Sequence, residues 1–204
     1  MMSAIELKEF YELGIASATI LIGLTIAILQ YKKAKKVNIA IKKESQFSIS
    51  NIEIWKLITD LRIATDATRV SVVQFHNGGK FMDGTSMRKM SITHQTYDSN
   101  TWSTAALMQD TLVTRFIELT SLLQQNCPSI RSPITHTECN TKRFYTMNNT
   151  NAISLLPIYG ESNLLIHGYI CVEWDKVPKS ISEKTIAMTL SVRDNIAMLI
   201  HSSK

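Results

Sequence analysis

The sequence predicts an α+β domain, an antiparallel sheet flanked by helices, preceded by one transmembrane helix. Three observations lead to this fold class. A stretch near the N-terminus carries no charge, apolar residues recur at helical spacing on either side of the strand-like segments, and those segments occur in adjacent pairs. With 204 residues, the chain has room for one ordinary domain and an appendage.

The first element is the uncharged segment from Leu13 to Tyr31. At about 1.5 Å per helical residue, its length nearly matches the roughly 30 Å hydrocarbon core of a bilayer. It lacks the polar side of a core helix, and the acidic residues before it do not fit the basic start of a signal peptide. We therefore expect a short tail over residues 1–12 and a retained span over residues 13–31.

Small residues recur within this span at intervals of four. Thr19, Gly23 and Ala27 would lie on one side of the helix and let two copies approach closely. The alternative is that small residues are simply common in membrane helices. The pattern predicts a homo-oligomer in which these three residues form the contact between the spans, and we call this contact the seam.

A basic segment follows the span and predicts its orientation. Six lysines lie between residues 32 and 43, whereas one lysine precedes the span. The excess places the C-terminal bulk of a single-pass protein in the cytoplasm. Four of these lysines are expected at the lipid headgroups: Lys32, Lys33, Lys35 and Lys36.

The rest of the chain is almost neutral. The net charge is +5; the basic segment contributes +6 and the tail before the span contributes −2, which leaves +1 for residues 44–204. A nucleic-acid partner is therefore not indicated for the globular part. Residues 32–49 are interpreted as a basic juxtamembrane linker that ends in "SQFSIS", and residues 50–204 as the domain.

The domain begins with an amphipathic helix and a buried strand. The helix has apolar residues at three- and four-residue spacing: Ile54, Leu57, Ile58, Leu61 and Ala64. "RVSVVQF" at 69–75 is rich in β-branched residues and predicts a strand, and "MRKMSITHQTY" at 87–97 predicts a second one.

The second half repeats this order. A helix is predicted after Ser103, with one apolar face formed by Met108, Leu112, Phe116, Leu119 and Leu123. A polar loop over 127–141 leads to a strand hairpin formed by "AISLLPIYG" and "LLIHGYICVEW". Ser180 and Glu183 predict a capping box before a last helix. Its inner face would be formed by Met188, Val192, Ile196 and Leu199.

This order resembles the GAF domain family and the related PAS domains. The resemblance rests on "SLLP" at 154–157, the "YGESN" turn, "GYICV" at 168–172 and the closing helix, and it covers about residues 50–202. GAF domains are typically small-molecule sensors or dimerisation modules. The resemblance therefore implies a sensory or interaction domain that binds a small ligand or a partner protein. No subfamily motif assigns a cofactor.

"HNGGKFMDG" between the first two strands is the stretch most suggestive of chemistry. Its glycines suit a turn between strands, and this is one interpretation. The other is the rim of a pocket for a small polar or anionic ligand. That rim would be formed by His76, Asn77, Gly78, Gly79, Arg88 and His94. A metal site formed by His76, Asp83 and His94 is a weaker alternative.

The three cysteines raise an enzyme alternative. The GAF fold includes the free methionine sulfoxide reductases, which use cysteines near the middle loop, where Cys127 and Cys139 lie. With His136 these two cysteines also form a partial zinc set, but a fourth ligand is missing. Cys171 lies in an apolar strand and is interpreted as a core residue. The sequence thus predicts no catalytic residue.

Two functions from different classes follow. The first is a membrane-anchored, non-catalytic GAF-like sensory or interaction protein. The alternative is a bacteriophage lysis protein, because a short tail, one span and a compact domain also resemble the holin of T-even phages. That family places its domain in the periplasm, which the lysines after the span oppose.

Overall fold

The structure is a computed structural model that describes residues 4–84, 86–124, 140–160, 165–179 and 181–202. For residues 4–20 and 22 it describes the backbone and not the side chains. The chain divides into two compact units, residues 1–48 and residues 49–204.

The first unit is helical. Its described residues belong to α1, which begins at Ala4 and ends at Thr65. The predicted linker, residues 32–49, is helical too, and within it Ser48 donates to the carbonyl of Glu44 at 3.0 Å. Among the side chains described, no helix has the length and apolarity that a membrane crossing requires. Positions 13–20 and 22 of the predicted span, with Thr19 of the seam, lie outside those side chains.

The second unit contains the rest of α1 and a five-stranded antiparallel sheet of order β3-β2-β1-β5-β4. The strands are β1 (Arg69–Lys80), β2 (Ser86–Tyr97), β3 (Thr111–Leu112), β4 (Ala152–Tyr159) and β5 (Ile166–Trp174). The later helices are α2 (Ile117–Gln124), α3 (Asn140–Met147) and α4 (Glu183–Ser202). Two 3₁₀ turns, Ala105–Met108 and Val113–Phe116, flank β3. The predicted α+β class with an antiparallel sheet is confirmed.

One face of the sheet, which we call the helical face, packs against α1 and α4. Ile54, Ile58 and Leu61 of α1 join Val192 and Ile196 of α4 in one buried cluster. The strands contribute Val70, Val72, Ala152, Leu156, Ile158, Ile170, Val172 and Trp174 to this cluster. The predicted inner faces of both helices are confirmed here except at Ala64, which is exposed; Leu57, Met188 and Leu199 are partly buried at the margin.

The opposite face, which we call the second face, is covered by the segments between β2 and β4. Its buried cluster contains Val73, Met90, Ile92, Met108, Phe116, Leu119, Leu123, Tyr145, Ile153, Leu155, Tyr169 and Cys171. Most of the apolar positions predicted for one long helix after Ser103 are buried here, but the prediction of a single long helix is wrong. Thr111 and Leu112 pair with β2, and Asp110 has a φ of 51°, so the backbone leaves the helical path.

The last helix begins differently from the prediction. Ser182 accepts the N–H of Thr185 through its hydroxyl at 3.1 Å, as an N-cap does, and Glu183 is the first residue of α4 and not the third, as the predicted capping box requires. Ser180 lies outside the described residues, as does most of the predicted loop between α2 and α3. The helix α3 was not predicted.

The two outer strands of the sheet, β3 and β4, differ in length. β3 has two residues, and β4 has eight, with Pro157 among them. Because proline has no N–H, one backbone donor is missing from β4.

Candidate functional site

The predicted site residues His76 to Gly79 lie within β1 and not in a loop. His76 faces Lys89 and Asn77 faces Arg88 in the pairing with β2. The register shifts between Asn77 and Lys80, and Gly79 has a φ of 104° there. Such a backbone favours glycine, so the glycines serve an irregular strand pair as well as the turn beyond it.

His76 and Arg88 lie on opposite faces of the strand pair. Residues directly opposite each other project to the same side, and successive residues alternate. His76 therefore shares a face with Lys89, whereas Arg88 shares the other face with Asn77. The two groups proposed to converge on one ligand are separated by the sheet itself.

A small polar cluster surrounds His76. Its Nε2 is 2.9 Å from the Ser91 hydroxyl and 3.7 Å from a carboxylate oxygen of Asp110. Lys89 Nζ is 3.9 Å from the same oxygen, and the Asp110 N–H donates to Ser91 Oγ at 2.9 Å. Serine and carboxylate thus face the same ring nitrogen. A nucleophilic triad requires the carboxylate on the other nitrogen, so this cluster does not have that geometry.

Arg88 contacts β5 and the aromatic ring of Phe75 in β1. Its guanidinium donates to the carbonyl of Ile166 at 3.1 Å and lies 5.3 Å from the centre of the Phe75 ring. Both contacts use the cation for packing within the fold.

His94 belongs to the helical face. Its Nε2 is 3.0 Å from Asn51 Oδ1 on α1, and its ring lies edge-on to Trp55 at 6.0 Å. Burial lowers the pKa of His94 because the charged form loses its water. The six predicted residues therefore lie in three separate environments and do not form one site. Within the described residues, no group of three or more His, Cys, Asp and Glu side chains could hold a metal, so His76, Asp83 and His94 form no such site.

Sequence reasoning missed a buried ion pair at the start of β1. Arg69 and Glu173 are 1% and 3% exposed, and Arg69 Nε is 3.1 Å from Glu173 Oε2. Arg69 also donates to the Thr101 and Thr150 hydroxyls and to the carbonyl of Asn148, at 2.8, 2.6 and 2.6 Å. The signal in the sequence was a charged residue beside each of two apolar runs, Arg69 before "VSVV" and Glu173 after "YICV".

A second polar group lies beside this pair. The Gln95 amide donates to Ser71 and Thr104 hydroxyls, both at 2.8 Å, and its oxygen accepts from Ser103 and from the Thr104 N–H. This glutamine fixes the chain that leaves β2 on the second face.

The centre of the second face is filled by aromatic and sulfur-containing side chains. The Tyr145 hydroxyl is 3.5 Å from Cys171 Sγ, and the Tyr169 hydroxyl donates to Met90 Sδ at 3.7 Å. Burial raises the pKa of the Cys171 thiol well above its usual value, and the Glu173 carboxylate raises it further. Cys171 is a core residue, as predicted. Cys127, His136 and Cys139 of the redox and zinc alternatives lie outside the described residues.

An open cavity lies between α2 and α3. Its volume is about 550 Å³, within the range that small-molecule sites occupy. Its walls include Arg115, Ile117, Glu118, Lys142, Arg143 and Met147. No strand residue contributes to it, so the cavity is separate from the filled centre of the second face. The cavity was not predicted from the sequence, because α3 itself was not predicted.

Comparison with known proteins finds similarity in structure and not in sequence. No family model matches the sequence, and no curated protein matches it. The fold is similar to that of a far-red cyanobacteriochrome photoreceptor, with a TM-score of 0.58 and 13% identity over 84% of this chain and 97% of that chain.

Two further structures show the same likeness. One is a phycocyanobilin-bound GAF domain from a cyanobacterial phytochrome, with a TM-score of 0.52 and 14% identity over 79% of this chain and 94% of that one. The other is the GAF domain of a two-component sensor histidine kinase from Bacillus halodurans, with a TM-score of 0.51 and 15% identity over 72% and 90%. At these identities the likeness concerns the fold, and the α+β unit has the fold of a GAF domain.

Proposed function

We propose that this chain is a membrane-anchored, non-catalytic sensory protein whose GAF-like unit binds a small ligand. The observation that carries the proposal is the cavity between α2 and α3, which has the size of a ligand site and has charged and apolar side chains in its walls. The similarity to a GAF domain that binds phycocyanobilin supports a small molecule as the ligand.

The non-catalytic role is supported by the state of the nucleophiles that the structure describes. The Ser91 oxygen already accepts the Asp110 N–H, and the histidine beside it lacks a carboxylate on its second nitrogen. The Cys171 thiol is buried, and its raised pKa keeps it protonated. Neither group is arranged for attack on a substrate.

The membrane anchor is supported by the sequence from Leu13 to Tyr31, which has no charge, and by the lysines after it. The large apolar side chains described within it, such as Leu21, Leu24 and Leu29, are exposed. Gly23 has open space around its Cα, which suits the proposed close approach of two copies. We place the GAF-like unit in the cytoplasm and propose a homo-oligomer.

Ligand binding is tested by a thermal-shift screen of the full chain in detergent with nucleotides, amino acids and organic acids. A ligand at 100 times its dissociation constant adds about 2.7 kcal/mol to the free energy of unfolding, which is a clear shift in melting temperature. A screen without any stabilising compound would contradict the small-ligand form of the proposal and favour a protein partner.

The anchor and its orientation are tested with two C-terminal fusions, green fluorescent protein and alkaline phosphatase. We expect a membrane fraction that resists carbonate extraction, with fluorescence and no phosphatase activity. Phosphatase activity without fluorescence would place the domain outside the cytoplasm. Lysis of cells that coexpress an endolysin would then support the holin alternative.

A further inference from the structure

The cavity between α2 and α3 has an excess of positive charge. Arg115, Lys142 and Arg143 line it together with one carboxylate, Glu118. That carboxylate accepts the Thr141 hydroxyl at 2.8 Å, which holds it to the start of α3. Within the part of the chain that the structure describes, neither Arg115 nor Arg143 forms an ion pair. Two guanidinium groups are therefore available to an anion that enters the cavity.

The same cavity offers apolar surface. Ile117 and Met147 line it and are 64% and 73% exposed. A ligand that covers large apolar side chains with this exposure removes them from water, which stabilises the complex. Methionine also adapts its shape to different ligands, because its side chain is unbranched.

We infer that this cavity binds an organic anion, a molecule with a carboxylate or phosphate group and an apolar body. The guanidinium groups of Arg115 and Arg143 form paired hydrogen bonds to the anionic group, which both of these oxyanions accept. Ile117 and Met147 contact the apolar body. This inference rests on the proposed ligand-binding function and adds the chemical class of the ligand and the residues that select it.

The cavity can be altered without disturbing the core. It has no strand residue in its walls, and Arg115 and Arg143 are exposed, so their substitution leaves both buried clusters intact. Loss of binding in a variant of either arginine is therefore separable from unfolding, which a melting curve without ligand verifies.

The test uses the full chain and three small aromatic probes. Phenyl phosphate and benzoate carry the two anionic groups, and benzyl alcohol is the neutral control. Dissociation constants are measured by saturation-transfer NMR for the wild type, Arg115→Gln, Arg143→Gln, Glu118→Gln and Arg193→Gln. Arg193 lies on α4, and its loss changes the net charge by the same amount as the two cavity variants.

We expect one or both anions to bind the wild type and the neutral probe to bind more weakly. Arg115→Gln and Arg143→Gln should each weaken anion binding about tenfold, as the loss of a charge-assisted hydrogen bond does. Glu118→Gln should strengthen it, because it removes the one negative charge, and Arg193→Gln should leave it unchanged. Binding of one anion and not the other identifies the preferred group as phosphate or carboxylate.

Three results would overturn the inference. Equal binding of the anions to the wild type and to both cavity arginine variants would place the site elsewhere, although ligand binding itself would stand. Equal binding of benzyl alcohol and the anions would reject the anionic class. Stabilisation by other compounds in the screen, with no binding of either anion, would leave the proposed function intact and reject this ligand chemistry.

Discussion

The two faces of the sheet are packed by different means. On the helical face, α1 and α4 place aliphatic side chains such as Ile58 and Ile196 against the strands in one apolar cluster. The second face combines an apolar cluster with a buried ion pair and a glutamine that holds the chain after β2. The chain after β2 is held over that face by side-chain hydrogen bonds, such as those that Gln95 accepts from Ser103 and Thr104. The helical face depends on burial, and the second face depends on polar geometry.

The largest expected effect is that of Arg69→Met on the second face. It leaves the Glu173 carboxylate buried without its cation, which typically costs about 3 to 5 kcal/mol. The measurement is the free energy of unfolding in urea, with Arg193→Met as the control for loss of an arginine. A loss as small as that of the control would contradict the role of polar geometry on this face.

The free energy of unfolding of the same variant should depend on pH in a defined direction. Burial already raises the pKa of Glu173, and Arg69 opposes that rise. Without Arg69 the folded-state pKa rises further, so the folded protein binds a proton that the unfolded protein releases. The variant therefore loses stability as pH rises through this window and recovers it as pH falls. The deficit against the wild type should shrink from pH 7 to pH 5, and a deficit that grows on acidification would be inconsistent with this account.

An intermediate effect is expected for Ile58→Ala on the helical face. Ile58 is fully buried between α1 and the strands, and truncation of such a side chain costs about 3 kcal/mol. The free energy of unfolding should fall without the pH dependence of Arg69→Met, because no charge is involved. The same pH profile in both variants would erase the distinction between the two faces.

The smallest expected effect is that of His76→Ala. The side chain is 37% exposed, and substitutions at such positions usually change stability by less than about 0.5 kcal/mol. Stabilisation by a ligand from the thermal-shift screen should persist in this variant, because the cavity between α2 and α3 does not include the β1–β2 pair. Loss of that stabilisation in the folded variant would move the ligand site to His76.

Periodicity explains which elements could be predicted. The helices α1 and α4 and the hairpin of β4 and β5 are regular, so spacing of apolar residues indicated their type and their buried sides. After Ser103 the apolar residues also recur at helical spacing, but the pairing of Thr111 with β2 interrupts the helix. Tertiary pairing of this kind has no local signal.

The candidate site was harder to predict for the same reason. His76 and Arg88 are close in the sequence, but side chains alternate along paired strands, so these two lie on opposite faces. Arg69 and Glu173 are more than a hundred residues apart, and their pairing follows from the position of β5 beside β1. The cavity depends on two short helices separated by residues whose pattern indicated only a loop.

The edge strand β4 affects how copies of this protein behave at high concentration. Unpaired strands at the margin of a sheet can recruit strands from other molecules and start ordered aggregates. β4 is largely apolar and contains Pro157. Proline within such a strand removes a donor that an incoming chain would need. Growth of fibrils by strand addition is therefore disfavoured at the β4 edge, even though β4 has the composition of an aggregation-prone segment.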